Sequence, residues 1–130
     1  MKKPVIVAAT LALLAAPATA FALTSSPAMP TTFSLSSAGG VPNCTKFPYV
    51  TTAKNDVLAQ ITISSAGVKI KSLRAHNVPA GKHVIRWCGK DNTGAYVAPG
   101  QFTWHVQTRH LAGQVGLSPA TPDRVVTVIA

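Results

Sequence analysis

Residues 101–108, QFTWHVQT, place Phe102, Trp104 and Val106 on one side of an extended chain and Thr103, His105 and Gln107 on the other. Bulky apolar residues at every second position fit a strand with one face in a core. They do not fit a helix, whose apolar stripe recurs every three to four residues. The chain obeys the same rule from Val57 onward. VLAQITIS (residues 57–64) sets Val57, Ala59, Ile61 and Ile63 against Leu58, Gln60 and Thr62, and the first set is expected to face inward. KHVIRWC (residues 82–88) sets His83, Ile85 and Trp87 against Lys82, Val84, Arg86 and Cys88. The tryptophan side carries the larger apolar area and is the expected core face. RVVTVIA (residues 124–130) is a last apolar strand, which needs a partner to avoid edge-to-edge association.

Between these runs stand turn signals: Ser65-Ala66-Gly67, where glycine takes a positive φ freely, then Val78-Pro79-Ala80-Gly81, the KDNTG stretch after Gly89, and Pro99-Gly100. VKIKSL (residues 68–73) alternates with one wet face and suggests a bulge near its end. About seven short strands, turns at roughly 10-residue intervals and no helical period predict an all-β fold, an antiparallel β-sandwich. Residues 23–46 are rich in Ser, Thr, Pro and Gly and read as a separate N-terminal segment ahead of a sandwich domain over 47–130. Its beginning reads as a mobile leader strand or linker, with a short edge strand over Thr31 to Ser36.

Residues 1–22 carry two lysines, an apolar run from Val5 to Ala16, Pro17 and two overlapping A-x-A sites. That is the layout of a secretory signal peptide, with cleavage after Ala20 or Ala22, and the run is too short to span a bilayer. About 108 residues remain, enough for one modest core and with no later transmembrane-length stretch. An exported protein of the periplasm or the extracellular space is implied. The mature part keeps ten basic side chains against Asp56, Asp91 and Asp123, a formal charge of +7. Such a balance favours anionic partners, although the cations are scattered and form no run. Export argues against nucleic acid. Cys44 and Cys88 are the two cysteines of the chain; in an oxidising compartment they are expected to pair, closing a loop worth roughly 3 to 4 kcal/mol.

The stretch from about Gln60 to Arg109 resembles the Ig-like, fibronectin III-like domain on the C-terminal side of bacterial flagellar hook-capping proteins. The positions that carry the resemblance are Gly67, Leu73, Pro79 to Gly81, Trp87, Gly89, Asp91, Gly94, Val97, Gly100, Phe102, Trp104 and Val106. The resemblance implies an Ig-like sandwich and covers about half of the mature chain. It implies no hook-assembly role, because nothing like the rest of a hook-capping protein accompanies it. The family commonly has an acidic or polar residue after the tryptophan, and Cys88 in that place makes a tie to Cys44 a feature of this chain.

Trp87-Cys88-Gly89 also invites comparison with a thioredoxin-type redox site. That chemistry needs a resolving thiol near Gly89, and the position holds Asp91 at a strand end instead of a helix N-terminus. Gly89, Asp91, Asn92 and Gly94 are better read as a polar corner in which the carboxylate and amide bond back to turn amides. His76, His83, His105 and His110 have no metal-binding spacing, so no metal or other cofactor is expected beyond an adventitious site. With three aspartates and no glutamate there is no paired-carboxylate or Ser/His/Asp arrangement, and no catalytic residue is expected. The implied function is that of a non-catalytic module with a structural, adhesive or assembly role in the bacterial envelope. The alternative is a basic protein binding an anionic envelope ligand such as phospholipid, lipopolysaccharide or acidic glycan. The sequence leaves the oligomeric state open, and an enzyme built from dispersed residues is the third class.

Overall fold

The computed structural model describes residues 23–52, 57–110 and 118–130. The signal-peptide reading of residues 1–22 lies outside them. Among the described residues eight strands follow one another: β1 (Leu23–Ser25), β2 (Thr32–Ser34), β3 (Thr45–Thr51), β4 (Val57–Ser65), β5 (Val68–Val78), β6 (Gly81–Trp87), β7 (Gly100–His110) and β8 (Arg124–Ile129). They form two sheets, β1-β3-β6 and β2-β8-β7-β4-β5. The expected sandwich is present. All strand pairs are antiparallel except β2 with β8, which is parallel. One short 3-10 turn, Ala38–Gly40, joins β2 to β3.

The alternation read from the sequence positions the core. Ala59, Ile61 and Ile63 of β4, Phe102, Trp104 and Val106 of β7, and Val126 and Val128 of β8 turn inward from the larger sheet. Phe47, Tyr49 and Trp87 meet them from the smaller one. Trp87 stands edge-on to Phe33 and Phe102, while Phe47 lies against Trp104 with ring centroids 4.6 Å apart. Each such side chain contributes about 1.5 to 3 kcal/mol on burial.

Three features differ from the sequence reading. The beginning of the N-terminal segment is built into the sandwich: β1 pairs with β3, and Ala28 and the fully buried Phe33 join the common core. Sparse apolar residues hid this, because two well-placed ones suffice when main-chain pairing carries the rest. The chain runs along β3 as far as the Met29–Lys46 bridge, passes the cis Met29-Pro30 bond and crosses to the other sheet, where β2 pairs with β8. Second, β5 continues to Val78, and extra residues opposite Ile63/Ser64 and Val57/Ala59 bulge it twice. The first bulge lets Ile70 and Leu73, which strict alternation puts on opposite faces, both pack on the core. Third, β3 has a proline at its centre and had no clear strand signal. Pro48 is tolerated because its missing donor faces β1, where its carbonyl accepts the Ser26 amide at 3.1 Å.

Candidate functional site

The corner that follows β6 is held by its own polar groups. Asp91 Oδ1 accepts from Thr93 Oγ1 at 2.6 Å, the Thr93 amide at 2.9 Å and the Ala95 amide at 3.1 Å. These bonds, the Thr93 hydroxyl first, hold the Asp91 carboxyl below the usual carboxylate range. Trp87 Nε1 donates to the Lys90 carbonyl at 2.8 Å. Gly89 and Gly94 both have φ near +90°. Asn92 reaches across to β5: its amide donates to the Ile70 carbonyl and its Oδ1 accepts the Ser72 amide. Cys88 forms a disulfide with Cys44, so the corner is tied to the start of β3. Of the other motif positions, Pro79 and Gly81 flank the β5–β6 turn, Gly100 opens β7, and Phe102 and Trp104 lie in the core.

This arrangement gives Cys88 a structural task. No free thiol remains in the chain, and a carboxylate stands where a resolving thiol would be required. Among the described residues, no three His, Cys, Asp or Glu side chains gather where they could hold a metal ion. His105 faces away from the core on β7 and pairs with Asp123 at 3.1 Å; His83 lies on the Tyr49 ring and meets the Pro79 carbonyl at 2.7 Å. The two histidines thus sit on different sheets. Burial pushes the Tyr49 phenol up to about 12.

A larger recess than any at this corner lies elsewhere among the described residues, on the outer face of the three-stranded sheet. It is an open groove of about 590 Å³ whose apolar surface comes from Met29, Pro48, Val50 and Val84, with Lys82 at its side. Met29 is 53% exposed and Val84 50%, so apolar area stands in solvent here without a covering element. The register pairs Pro48 with Val84, Val50 with Lys82 and Lys46 with Arg86, which puts Lys46, Lys82 and Arg86 on this same outward face. None of the three has an ion-pair partner among the described residues. Asp91 is committed to its corner and Asp123 to His105 on the other sheet. The face can therefore bind by burying apolar area and neutralising acidic groups together. Sequence reading passed over these residues. The signal was two alternating triplets: Lys46-Pro48-Val50, for which no strand was expected, and Lys82-Val84-Arg86, set on the face opposite Trp87.

An N-terminal segment that adds β1 to one sheet and then β2 to the other, a three-stranded layer against a five-stranded one and a tryptophan-centred core define an Ig-like, fibronectin III-like β-sandwich. The flagellar hook-capping protein FlgD from Xanthomonas campestris has a similar fold: it superposes with a TM-score of 0.55 over 82% of this chain and 68% of its own, at 19% identity. The similarity expected from Gln60 to Arg109 thus extends over most of the chain, and at this identity it is one of fold. A β-glucosidase from Erythrobacter marinus aligns with a TM-score of 0.38 and 12% identity over 84% of this chain and 15% of its own. No family model matches the sequence. No curated protein matches it either.

Proposed function

We propose that the chain is an exported, non-catalytic Ig-like module that binds protein partners in the bacterial envelope, in a structural, adhesive or assembly role. The observation that carries this reading is the outward face of β1-β3-β6, where exposed apolar groups occur together with cations that have no ion-pair partner among the described residues. The fold likeness to a protein whose hook capping is essential for flagellar assembly supports the same class of task. Export rests on the leader of residues 1–22 and on the disulfide, which an oxidising compartment preserves. In this reading the mature chain starts at Phe21 or Leu23, and N-terminal sequencing of the exported protein identifies which. Immobilised mature protein should retain a specific partner from envelope extract. Recovery of none, in low and moderate salt alike, would remove the reading.

The clustered Lys46, Lys82 and Arg86 also favour a second reading, recognition of an anionic envelope component such as phospholipid, lipopolysaccharide or acidic glycan. Binding to anionic vesicles should then weaken steeply as salt rises. Vesicle binding undiminished in high salt would exclude its electrostatic form.

A further inference from the structure

β6 is the last strand of its sheet, and the direction of its free main-chain groups follows from Pro48. In an antiparallel strand a residue's N–H and C=O point to the same side, and neighbouring residues alternate. The Pro48 carbonyl accepts from Ser26, and Lys46 exchanges both its main-chain bonds with Met29, so Lys46, Pro48 and Val50 direct their main chain toward β1. Their partners across the sheet, Arg86, Val84 and Lys82, therefore point their N–H and C=O groups away from β3, into open space along the free edge. Among the described residues, no main-chain bond outside the strand ladders reaches these three. The side chains of the same three residues project onto the outer face, beside the groove.

The other long edge is treated differently. The free side of β5 is bulged, and Asn92 covers it at Ile70 and Ser72. Lys71 Nζ adds a bond to the Asp91 carbonyl. One edge is closed by the corner after β6; the edge of β6 itself is left open.

We infer that the open edge of β6 is a strand-addition site for an extended protein segment reading acidic–x–apolar–x–acidic, whose acidic residues lie opposite Lys82 and Arg86 and whose apolar residue lies opposite Val84. Directly opposed residues in a ladder share a face, so the added strand places these three side chains over the groove. The charge pattern selects its occupant. The chain holds only Asp56, Asp91 and Asp123 as acidic side chains, and none stands two or four residues from another. A second copy therefore lacks the complementary segment, and the partner is a different, acidic polypeptide. The inference deepens the protein-binding reading above and rests on it.

The test uses the mature protein and a blocked peptide containing Glu-Thr-Val-Thr-Glu, followed by amide NMR. The expected result is saturable shifts at the amides of Lys82, Val84 and Arg86. N-methylation of the peptide valine removes a main-chain donor without touching the protein and should weaken binding at least tenfold. The Lys82→Glu/Arg86→Glu variant should weaken it at least tenfold too, and should gain affinity for a Lys-Thr-Val-Thr-Lys peptide. Val84→Pro deletes an amide that bonds no group among the described residues and should also abolish the shifts. Shifts that avoid β6, undiminished binding of the N-methylated peptide, or no peptide binding would overturn the inference. So would adsorption to phosphatidylglycerol vesicles that charge reversal abolishes when no peptide binds, which would give the face to a lipid surface. If an envelope partner is retained equally by wild type and Val84→Pro, strand addition fails while the protein-binding reading survives. If wild type retains no partner, that reading fails.

Discussion

Gly89 and Gly94 share a corner and nearly the same φ, +92° and +89°, but differ in what surrounds them. A Cβ at Gly94 meets nothing within 4 Å, so Gly94→Ala carries only the backbone penalty of a left-handed conformation, about 1 to 3 kcal/mol. A Cβ at Gly89 stands 2.5 Å from Leu35 Cδ2 and must also displace that side chain. Gly89→Ala should therefore cost about 1 kcal/mol more than Gly94→Ala in urea unfolding. Adding Leu35→Ala should shrink the extra cost, and equal costs without it would refute the contact. The two tryptophans allow a similar comparison. Trp87 Nε1 has the Lys90 carbonyl, whereas the fully buried Trp104 Nε1 has no partner among the described residues. Trp→Phe trims packing at both sites, but at 104 it also removes an unsatisfied donor worth about 1 to 3 kcal/mol. Trp104→Phe should be the milder change by at least about 1 kcal/mol, as chemical denaturation would measure.

At the scale of elements, the disulfide links the end of β6 to the start of β3, two strands that are already neighbours. Because the bridge adds no new sheet contact, its effect falls mainly on the unfolded chain, whose 44-residue loop it closes. Replacing both cysteines by alanine should lower stability by about 3 to 4 kcal/mol while leaving the far-ultraviolet spectrum β-like. A loss of the β signal would show that the bridge holds the strands together directly. How well the elements could be read from residues depended on what each strand faces. β7 was plain because Phe102, Trp104 and Val106 face the core while the alternate positions are polar. β3 was obscured because Pro48 signals against a strand unless its neighbour on the donor side is known. The turn at Ala66-Gly67 was legible from glycine, yet Ala66 also has positive φ, which residue type does not announce. The groove was invisible for a related reason: Lys46 and Arg86 are 40 residues apart, and only the register makes them neighbours.

For the whole molecule, the segment before residue 47 governs whether the two sheets form one body. Phe33 packs edge-on to Trp87, and Arg124 of β8 reaches β1, donating to Ser25 Oγ at 2.8 Å and to the Ser25 carbonyl at 2.7 Å. β2 also covers the outer edge of β8, the apolar strand near the end of the chain. A chain of residues 47–130 loses all three features and the disulfide partner Cys44. Removing a buried phenylalanine alone costs about 3 to 5 kcal/mol, and the bridge about 3 to 4 more. Their sum is comparable with the about 5 to 15 kcal/mol by which a typical domain is stable. Residues 47–130 should therefore be largely unfolded or aggregated at 25 °C, with β8 exposing an apolar edge, while residues 23–130 unfold cooperatively. Supplying residues 23–46 as a separate peptide should restore little, because neither the disulfide nor chain connectivity returns with it. A fragment of residues 47–130 that unfolds in urea within about 1 kcal/mol of the longer chain would show that the N-terminal strands merely decorate a self-sufficient sandwich.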